Sequence, residues 1–345
     1  MKQEALVYPY GAALIGGVIK SRPQDFEVFE ELGFEPSGEG EHLFLQVEKS
    51  GLSTPELVER ISRDYSIHPR HIGYSGMKDK NALTTQWLSL HLPGQKIDPA
   101  AADGDGYRVL RALRNRSKLR RGSHKSNFFR ILIREVDDLP AVSSEQLQAL
   151  GSLGMANYFG AQRFGRHQDN VEQALKQLAG TRLKRTRRGI LLSSLRSFLF
   201  NQVLTRRIAQ GYWTKPIEGD VFMLRGSHSI FSEAIDVTLL QRFASLDIAS
   251  TASLYGSGQN QLSGDALQIE QQVFAEYAEI TDCLDAQGAR LQMRPLRVAV
   301  EELEYELDAA TRTLQLQLRL PAGSYLTTLL AHFMQVSEPA QDALR

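Results

Sequence analysis

The chain has 345 residues, of which 42% are hydrophobic and 23% are charged, which is the composition of a globular protein long enough for two domains. Its 40 basic and 40 acidic residues cancel, so the net charge excludes a uniformly basic nucleic-acid-binding protein. The single cysteine, Cys283, excludes an internal disulfide and predicts a reducing, cytoplasmic location; neither a signal peptide nor a membrane span is expected.

The first third of the chain is predicted to combine strands with one helix. Two short strands, "EVFEEL" and "HLFLQVEK", precede a helix in "STPELVERISRDY", which has a capping serine and an early proline. The turn "GYSGMKDKNALTTQ" follows, and "QWLSLHLP" then alternates as a half-buried strand does. Asp79 is thus predicted to lie in a loop between elements, where the ammonium groups of Lys78 and Lys80 would keep its carboxylate ionised.

The remainder of the chain changes from strand to helix and back. "NFFRILIREV" reads as a strand with Asn127 and Phe129 on one face. Helical patterns follow in "SSEQLQALGSLG", "QDNVEQALKQLA", "SSLRSFLFNQVLTRRIAQ" and "IEQQVFAEYAEI". A hairpin across "DAATR" comes next, then a turn into a helix in "PAGSYLTTLLAHFMQ" and a loose end in "SEPAQDALR". The pattern predicts an α+β domain of residues 1–153 and 304–345, interrupted by a more helical domain of residues 154–303.

The basic residues are segregated along the chain. Eight lie between Arg108 and Lys125 with no acid among them, and eleven lie between Arg163 and Arg207 against two acids. Such runs form either solvated faces or surfaces for a phosphate backbone, and the neighbouring aromatic strings "NFFR" and "NYFGAQRFG" favour RNA or single-strand binding. The candidate backbone contacts are Arg114, Arg116, Arg120, Arg121, Arg185, Arg187 and Arg188.

No metal or organic cofactor is predicted. The eight histidines are scattered, no cysteine pair exists, and no glycine-rich loop has the pattern of a nucleotide site. The charge pattern alone leaves two roles open for Asp79, which are a structural loop residue and an ionised nucleophile or general base.

The segment "GMKDKNALTTQ" closely resembles the catalytic motif of the tRNA pseudouridine synthase D (TruD) family. Other blocks resemble that family in the same order along almost the whole chain, which makes the combined likeness highly specific. They are "RPQDFEVFE", "NFF", "GMANYFGAQRFGRH", "LRSFLFNQVL" and "LPAGSYLTTLL".

The resemblance implies isomerisation of uridine to pseudouridine in tRNA, at position 13 in bacterial members. It also implies an α+β pseudouridine-synthase catalytic domain with a central, mainly antiparallel sheet, interrupted by an inserted α+β TRUD domain. No cofactor is implied, and the expected partner is tRNA, with a monomeric enzyme and no obligate protein partner.

Site residues follow from the same resemblance. Asp79 matches the catalytic aspartate, Phe129 matches an aromatic residue beneath a flipped base, and Lys20 matches a lysine near the active site. Phe26, Asn127 and Tyr325 match positions that contact the target nucleotide. Departures from the family pattern are Ala156 in place of proline, Leu326 in place of alanine, and Ala331 with His332 in place of Arg-Glu.

Three functions remain open on these residues. The leading hypothesis is a pseudouridine synthase in which Asp79 attacks a sugar or ring carbon, or removes a ribose proton to give a glycal. The second is a non-catalytic protein that binds or folds tRNA on the same scaffold. The third is a tRNA nuclease or base glycosylase that uses Asp79.

Overall fold

The structure is a computed structural model, which describes residues 5–11, 13, 15–94, 103–138, 142, 144–165, 167–178, 180 and 183–339. Contacts divide the chain into two units, each made of three segments. The sheet unit comprises Leu14–Val142, Val300–Gly323 and Met334–Arg345, and the helical unit comprises Met1–Ala13, Ser143–Ala299 and Ser324–Phe333. The assignment of residues 1–153 and 304–345 to a catalytic domain, and of residues 154–303 to an insertion, stays a prediction.

The elements alternate between the two units. Strands within the described ranges are β1 (Ile15–Val18), β2 (Phe26–Leu32), β3 (His42–Lys49), β4 (Ile72–Tyr74), β5 (Leu83–His91), β6 (Tyr107–Asn115), β7 (His124–Ile133), β8 (Met155–Ala156), β9 (Phe222–Leu224), β10 (Ile230–Phe231), β11 (Ile248–Leu254), β12 (Gln292–Pro295), β13 (Arg297–Val298), β14 (Glu301–Asp308), β15 (Thr313–Pro321) and β16 (Met334–Ser337). Helices there are α1 (Thr54–Asp64), α2 (Ser144–Leu153), α3 (Asn170–Leu178), α4 (Arg185–Ala209), α5 (Val237–Ala244), α6 (Gly264–Glu276), α7 (Ala278–Ala286) and α8 (Leu326–Leu330).

The sheet unit is built on one large sheet with the order β14-β15-β7-β2-β5-β3-β6, in which β4 also pairs with β5. Its neighbours are antiparallel except for the parallel pair β2–β5. A separate parallel pair joins β1 to β16. The predicted α+β class with a central, mainly antiparallel sheet is therefore confirmed.

Helix α1 covers the β3 region of this sheet because its apolar stripe matches the inward side chains of the strand. Leu57 and Ile61 of α1 cluster with Leu43 and Leu45 of β3. The helix begins with a capping box, in which the Ser53 hydroxyl accepts from the Glu56 N–H and the Glu56 carboxylate accepts from the Ser53 N–H at 2.7 Å. The turn that follows α1 leads to β4, so α1 fixes the position of that strand and of the loop between β4 and β5.

The helical unit packs around α4, whose middle and second half are almost completely buried. Phe198 and Leu199 of α4 belong to a cluster that also contains Ala174 of α3 and Val273 of α6. A small sheet with the order β10-β9-β11-β12 and the pair β8–β13 complete the unit. Helix α4 begins well before the predicted "SSLRSFLF" segment, so the basic run at Arg185 forms its first turns.

Two local expectations need correction. The basic segment after Arg108, for which no strand was predicted, begins as strand β6. The predicted loose end begins later than expected, because Ser337 pairs within β16 and Glu338 forms an ion pair; residues 340–345 lie outside the described residues. In the parts of the chain that the structure describes, no helix is long and apolar enough to cross a membrane.

Candidate active site

The loop between β4 and β5 presents Asp79, and its backbone is fixed from the α1 side. The Lys78 N–H donates to the Thr54 hydroxyl at 2.9 Å, and the Gly51 N–H donates to the Lys80 carbonyl at 3.1 Å. These bonds hold the residues on both sides of Asp79. The main-chain position from which the Asp79 side chain projects is therefore fixed by hydrogen bonds to its two neighbours.

Lys49 anchors the same loop from inside the sheet unit. Its side chain is 1% exposed, and its ammonium group donates to the main-chain carbonyl of Asp79 at 2.6 Å. Burial lowers the pKa of Lys49 to about 8, against the opposing charge of Asp79, which acts to raise it. Sequence reasoning missed this residue, although Lys49 continues the buried phase of β3 set by Leu43, Leu45 and Val47.

The carboxylate of Asp79 binds the ammonium group of Lys20 through Oδ2 and accepts the Asn81 N–H through Oδ1 at 3.1 Å. Burial acts to raise the pKa of Asp79, but the hydrogen bond and charge of Lys20, with the Asn81 N–H and the charge of Lys49, lower it. Burial likewise acts to lower the pKa of Lys20, and its two carboxylate partners, Asp79 and Glu338, raise it. Both groups of the pair are therefore held in their charged forms.

Lys78 and Lys80 do not have the role expected of them. The Lys78 ammonium group lies 2.7 Å from both Glu30 Oε2 and Asn127 Oδ1, and the Lys80 ammonium group pairs with Glu56 at 2.9 Å near the surface. The support expected from the adjacent lysines comes instead from Lys20 and Lys49, which lie far away in sequence. The expectation that Lys78 and Lys80 keep Asp79 ionised is therefore wrong, and the role of Asp79 stays a prediction.

One aromatic ring lies beside the ion pair, and a second ring lies against the first. Phe26 on β2 and Phe129 on β7 meet edge to face with centroids 6.5 Å apart, and the Lys20 ammonium group lies 4.9 Å from the Phe26 centroid. Both rings are 6% exposed. The register of β2 against β7 brings them together, since Phe129 faces Val28, two residues along β2 from Phe26.

Asn127 occupies the next position on the same face of β7. It pairs with Glu30 in the strand register, and Lys78 bridges the two side chains. Its amide nitrogen lies 3.4 Å from His124 Nε2. Successive side-chain contacts thus join Asp79, Lys20, Phe26 and Phe129. Asn127 is joined to the Asp79 loop through Lys78, which engages its carboxamide oxygen.

Tyr325 belongs to the helical unit, at the residue that precedes α8. Its hydroxyl accepts a hydrogen bond from Arg163 Nη2 at 2.7 Å, and its ring centroid lies 6.4 Å from that of Phe159. Arg163 and Phe159 both come from the "NYFGAQRFG" block. Two segments that resemble the family in sequence therefore contact each other within this unit.

Two of the departures from the family pattern also contact each other. The Ala156 N–H donates to His332 Nε2 at 2.9 Å, and His332 Nδ1 donates to the Thr328 carbonyl at 2.9 Å. His332 is fully buried, and burial lowers its pKa to about 4. The imidazole is thus neutral with its proton on Nδ1, an arrangement that a proline at position 156 would not permit because it has no N–H.

The four candidate backbone arginines of the sheet unit lie on β6 and in the loop that follows it. Arg114 donates to the Leu92 carbonyl at 3.3 Å, and Arg116 pairs with an exposed glutamate. Arg121 lies over the Tyr74 ring with its guanidinium carbon 3.7 Å from the centroid, and Arg120 is exposed. Most of this basic segment is therefore surface, as a phosphate-binding strip requires.

The three candidates of the helical unit lie in the first turns of α4. Arg185 and Arg188 are exposed, whereas Arg187 is partly buried and donates to Gln173. Arg188 donates to the side chain and main chain of Gln287 at 2.9 and 2.8 Å. Cations at a helix N-terminus oppose the helix dipole, so this placement costs stability that a bound anion would restore.

The chemistry available at Asp79 is that of an ionised carboxylate. Its side chain is 31% exposed, so a substrate can reach it. Such a group can act as a nucleophile or as a proton acceptor. Among the residues that the structure describes, no group of three or more histidine, cysteine or acidic side chains could hold a metal ion.

Comparisons with known proteins agree on one family. The family model described as "tRNA pseudouridine synthase D (TruD)" matches residues 3–179 and 166–333. A tRNA pseudouridine synthase D of Aeromonas salmonicida is 39% identical over 338 residues, covering 97% of this chain and 95% of the relative, and that of Methylococcus capsulatus is 38% identical over 331 residues, covering 94% and 93%. A crystal structure described as TruD from Methanosarcina mazei has a TM-score of 0.70 at 21% identity, covers 95% of each chain and supports the fold alone.

Proposed function

The chain belongs to the tRNA pseudouridine synthase D (TruD) family, and from this premise we propose that it isomerises uridine in tRNA to pseudouridine with Asp79 as the catalytic carboxylate. The observation that supports this role is the ion pair between partly exposed Asp79 and buried Lys20 beside the Phe26 ring. The target is the uridine at position 13, by resemblance to bacterial members. The enzyme acts in the cytoplasm as a monomer, without an obligate protein partner and without a cofactor.

The reaction itself defines what the site must provide. The bond between N1 of uracil and C1′ of ribose breaks, a bond from C5 to C1′ forms, and the proton on C5 is released while N1 regains one. The product has the same mass as the substrate. No oxidant, reductant or group donor is needed, so a carboxylate with its ion-pair partner and a means of holding the detached base are sufficient.

Asp79 starts this exchange from its ionised state. Lys20 lowers its pKa against the effect of burial, so the carboxylate is charged throughout the physiological pH range. The same carboxylate can attack C1′ of ribose, attack the uracil ring, or remove the C2′ proton to give a glycal. Deuterium at C2′ separates these routes, because only proton removal produces a primary isotope effect on the step that detaches uracil.

The base must leave the RNA stack before Asp79 can reach its sugar, at a cost of a few kcal/mol. Stacking on an aromatic ring returns about 1–3 kcal/mol per base. Phe129 is the proposed platform, with Phe26 at its edge. Both rings are nearly buried in the free protein, so we infer that the incoming base displaces part of their surroundings.

Asn127 is proposed to orient the flipped base by hydrogen bonding to its edge. Its carboxamide oxygen accepts from Lys78 in the free protein, and its nitrogen also contacts His124, which leaves the second N–H as the donor toward a uracil carbonyl. Tyr325 is proposed to contact the same nucleotide on the strength of the family resemblance.

The tRNA backbone is proposed to lie along the two arginine segments. In the sheet unit these are Arg114, Arg116, Arg120 and Arg121, and in the helical unit Arg185, Arg187 and Arg188. Exposed guanidinium groups suit phosphate by geometry as well as charge. Neither segment needs to recognise bases, since contacts to phosphates position the RNA without reading its sequence.

Release of tritium from tRNA that contains 5-tritiated uridine tests the proposed reaction. Wild-type protein should release tritium from unmodified tRNA, and Asp79→Asn should release none while binding the tRNA within several-fold of wild type. A protein that binds without any release would be the non-catalytic alternative, and chain cleavage or an abasic product would indicate a nuclease or glycosylase. If Asp79→Asn lost binding and activity together, Asp79 would have a structural role instead.

A further inference from the structure

The ammonium group of Lys20 has two carboxylate partners. It donates to Asp79 Oδ2 and, at 2.6 Å, to Glu338 Oε1. The third side of the group faces the Phe26 ring. Lys20 is 2% exposed, so nearly all of its surroundings are these three groups and the protein interior.

Glu338 is not required to neutralise Lys20. One carboxylate balances one ammonium group, and Asp79 already provides it from a loop fixed by backbone hydrogen bonds. The cluster of Lys20, Asp79 and Glu338 thus has two carboxylates around one ammonium group, and Lys49, the other cation near Asp79, donates to the main-chain carbonyl of Asp79 rather than to Glu338. A carboxylate in the proposed path of the RNA backbone would repel the substrate unless it moves.

The attachment of Glu338 is weak enough for it to move. Its side chain is 43% exposed, and it follows directly after β16. Among the described residues, its carboxylate has Lys20 as its ion-pair partner. Only the Glu338 side of the pair faces solvent, where water and salt screen the attraction, so another anion that reaches Lys20 from that side can replace Glu338.

We propose that Glu338 occupies a phosphate site in the free protein, and that a phosphodiester of the tRNA displaces it from Lys20. The inference rests on the proposed function. A carboxylate and a phosphodiester each have one negative charge, so the exchange leaves the charge around Lys20 unchanged. Because both acceptors share one ammonium group, the incoming phosphate lies beside Asp79, next to the sugar that Asp79 must reach.

The exchange and a permanent structural role for Glu338 predict opposite results. If Glu338 competes with phosphate, Glu338→Gln frees the site and strengthens tRNA binding. If Glu338 instead holds Lys20 in place for Asp79, the same change weakens binding or leaves it unaltered. The neutral glutamine keeps the size of the side chain and removes the charge, so the comparison concerns electrostatics rather than packing.

Binding is measured by filter retention with fully modified tRNA, which cannot turn over. We expect Glu338→Gln and Glu338→Ala to lower the Kd about 3- to 10-fold relative to wild type, and the kcat/KM on unmodified tRNA to rise. Glu302→Gln is the matched control, because Glu302 is also an exposed acid bound to a basic residue, Arg319, and its Kd should not change. A Kd that is unchanged or higher in both Glu338 variants overturns the proposal.

A second measurement needs no RNA and so separates this inference from the proposed function. Inorganic phosphate in the millimolar range should raise the melting temperature of Glu338→Gln more than that of wild type, and adding Lys20→Met to the variant should remove the difference. Equal responses in all three proteins would refute a phosphate site at Lys20. If the phosphate response appeared but no tRNA released tritium, the site would stand and the proposed reaction would fail.

Discussion

The pH dependence of unfolding tests whether burial lowers the pKa of Lys49. Its folded-state pKa of about 8 lies below the ordinary value of 10.5, so above pH 7 the folded protein releases this proton while the unfolded chain still retains its own. The unfolded state then binds more protons, and the free energy of unfolding rises with pH. Integration between pH 7 and pH 9.5 gives a gain of about 2 kcal/mol that Lys49→Met should lack.

The assay is urea unfolding at fixed ionic strength, at several pH values between 7 and 9.5. Because the two units can unfold separately, Trp213→Phe serves as the background, so that fluorescence reports Trp87 on β5 of the sheet unit. The quantity of interest is the free energy of unfolding of the background protein minus that of its Lys49→Met variant. Subtraction removes the contributions of groups that titrate alike in both proteins.

The difference should increase by about 2 kcal/mol across this pH range. Lys80→Met is the control, because it removes a lysine of the same loop that is half exposed and pairs with Glu56 near the surface. A flat result for Lys49 would mean that its ammonium group keeps an ordinary pKa. The conclusion that burial lowers the pKa of Lys49 would then be wrong.

Further predictions concern the helical unit and the RNA surface. Ala156→Pro removes the N–H that donates to His332. The change should lower the free energy of unfolding by about 1–3 kcal/mol, the cost of an unsatisfied buried group. Urea unfolding followed by the fluorescence of Trp213 measures this loss, and an unchanged free energy of unfolding would show that water replaces the bond. The arginines at the start of α4 are neutralised by Arg185→Gln, Arg187→Gln and Arg188→Gln. Together these changes should reduce the slope of log K against log salt for tRNA binding by about 2 to 3, and an unchanged slope would indicate that the segment is a solvated helix face without phosphate contacts. Phe129→Ala should reduce tritium release more than tRNA binding, because the ring is proposed to act only on the flipped base; equal losses in the two measurements would contradict that role.

Elements with a clear period could be predicted from sequence. Strands β2, β3 and β7 and helix α1 follow from alternation and a capping box, because these signals are local. Strand β6 was missed because a bulge opposite Gln46 and Val47 shifts its register and interrupts the alternation of its side chains. The strands β8 and β13 are two residues long, which is too short for a period to appear.

The sequence supplies candidate site residues but not the contacts between them. A resemblance supplies Asp79, Lys20 and Phe129, yet the lysines next to Asp79 in sequence pair elsewhere. Lys49 and Glu338 reach the same cluster only because distant strands fold side by side, and no local pattern encodes that meeting. The sequence does contain one indication that Lys49 has a partner, because a lysine at a position that faces the core of a strand is buried only when it is paired.

The three-segment construction of the sheet unit has a consequence for synthesis. Strand β7 lies between β2 and β15, but β15 is translated roughly 180 residues after β7 ends. At about 5–20 residues per second, the outer edge of β7 stays without its partner for roughly 10–35 seconds on the ribosome. An open strand edge is a template for wrong pairing, so the nascent chain must protect this edge of β7 until β15 has been made.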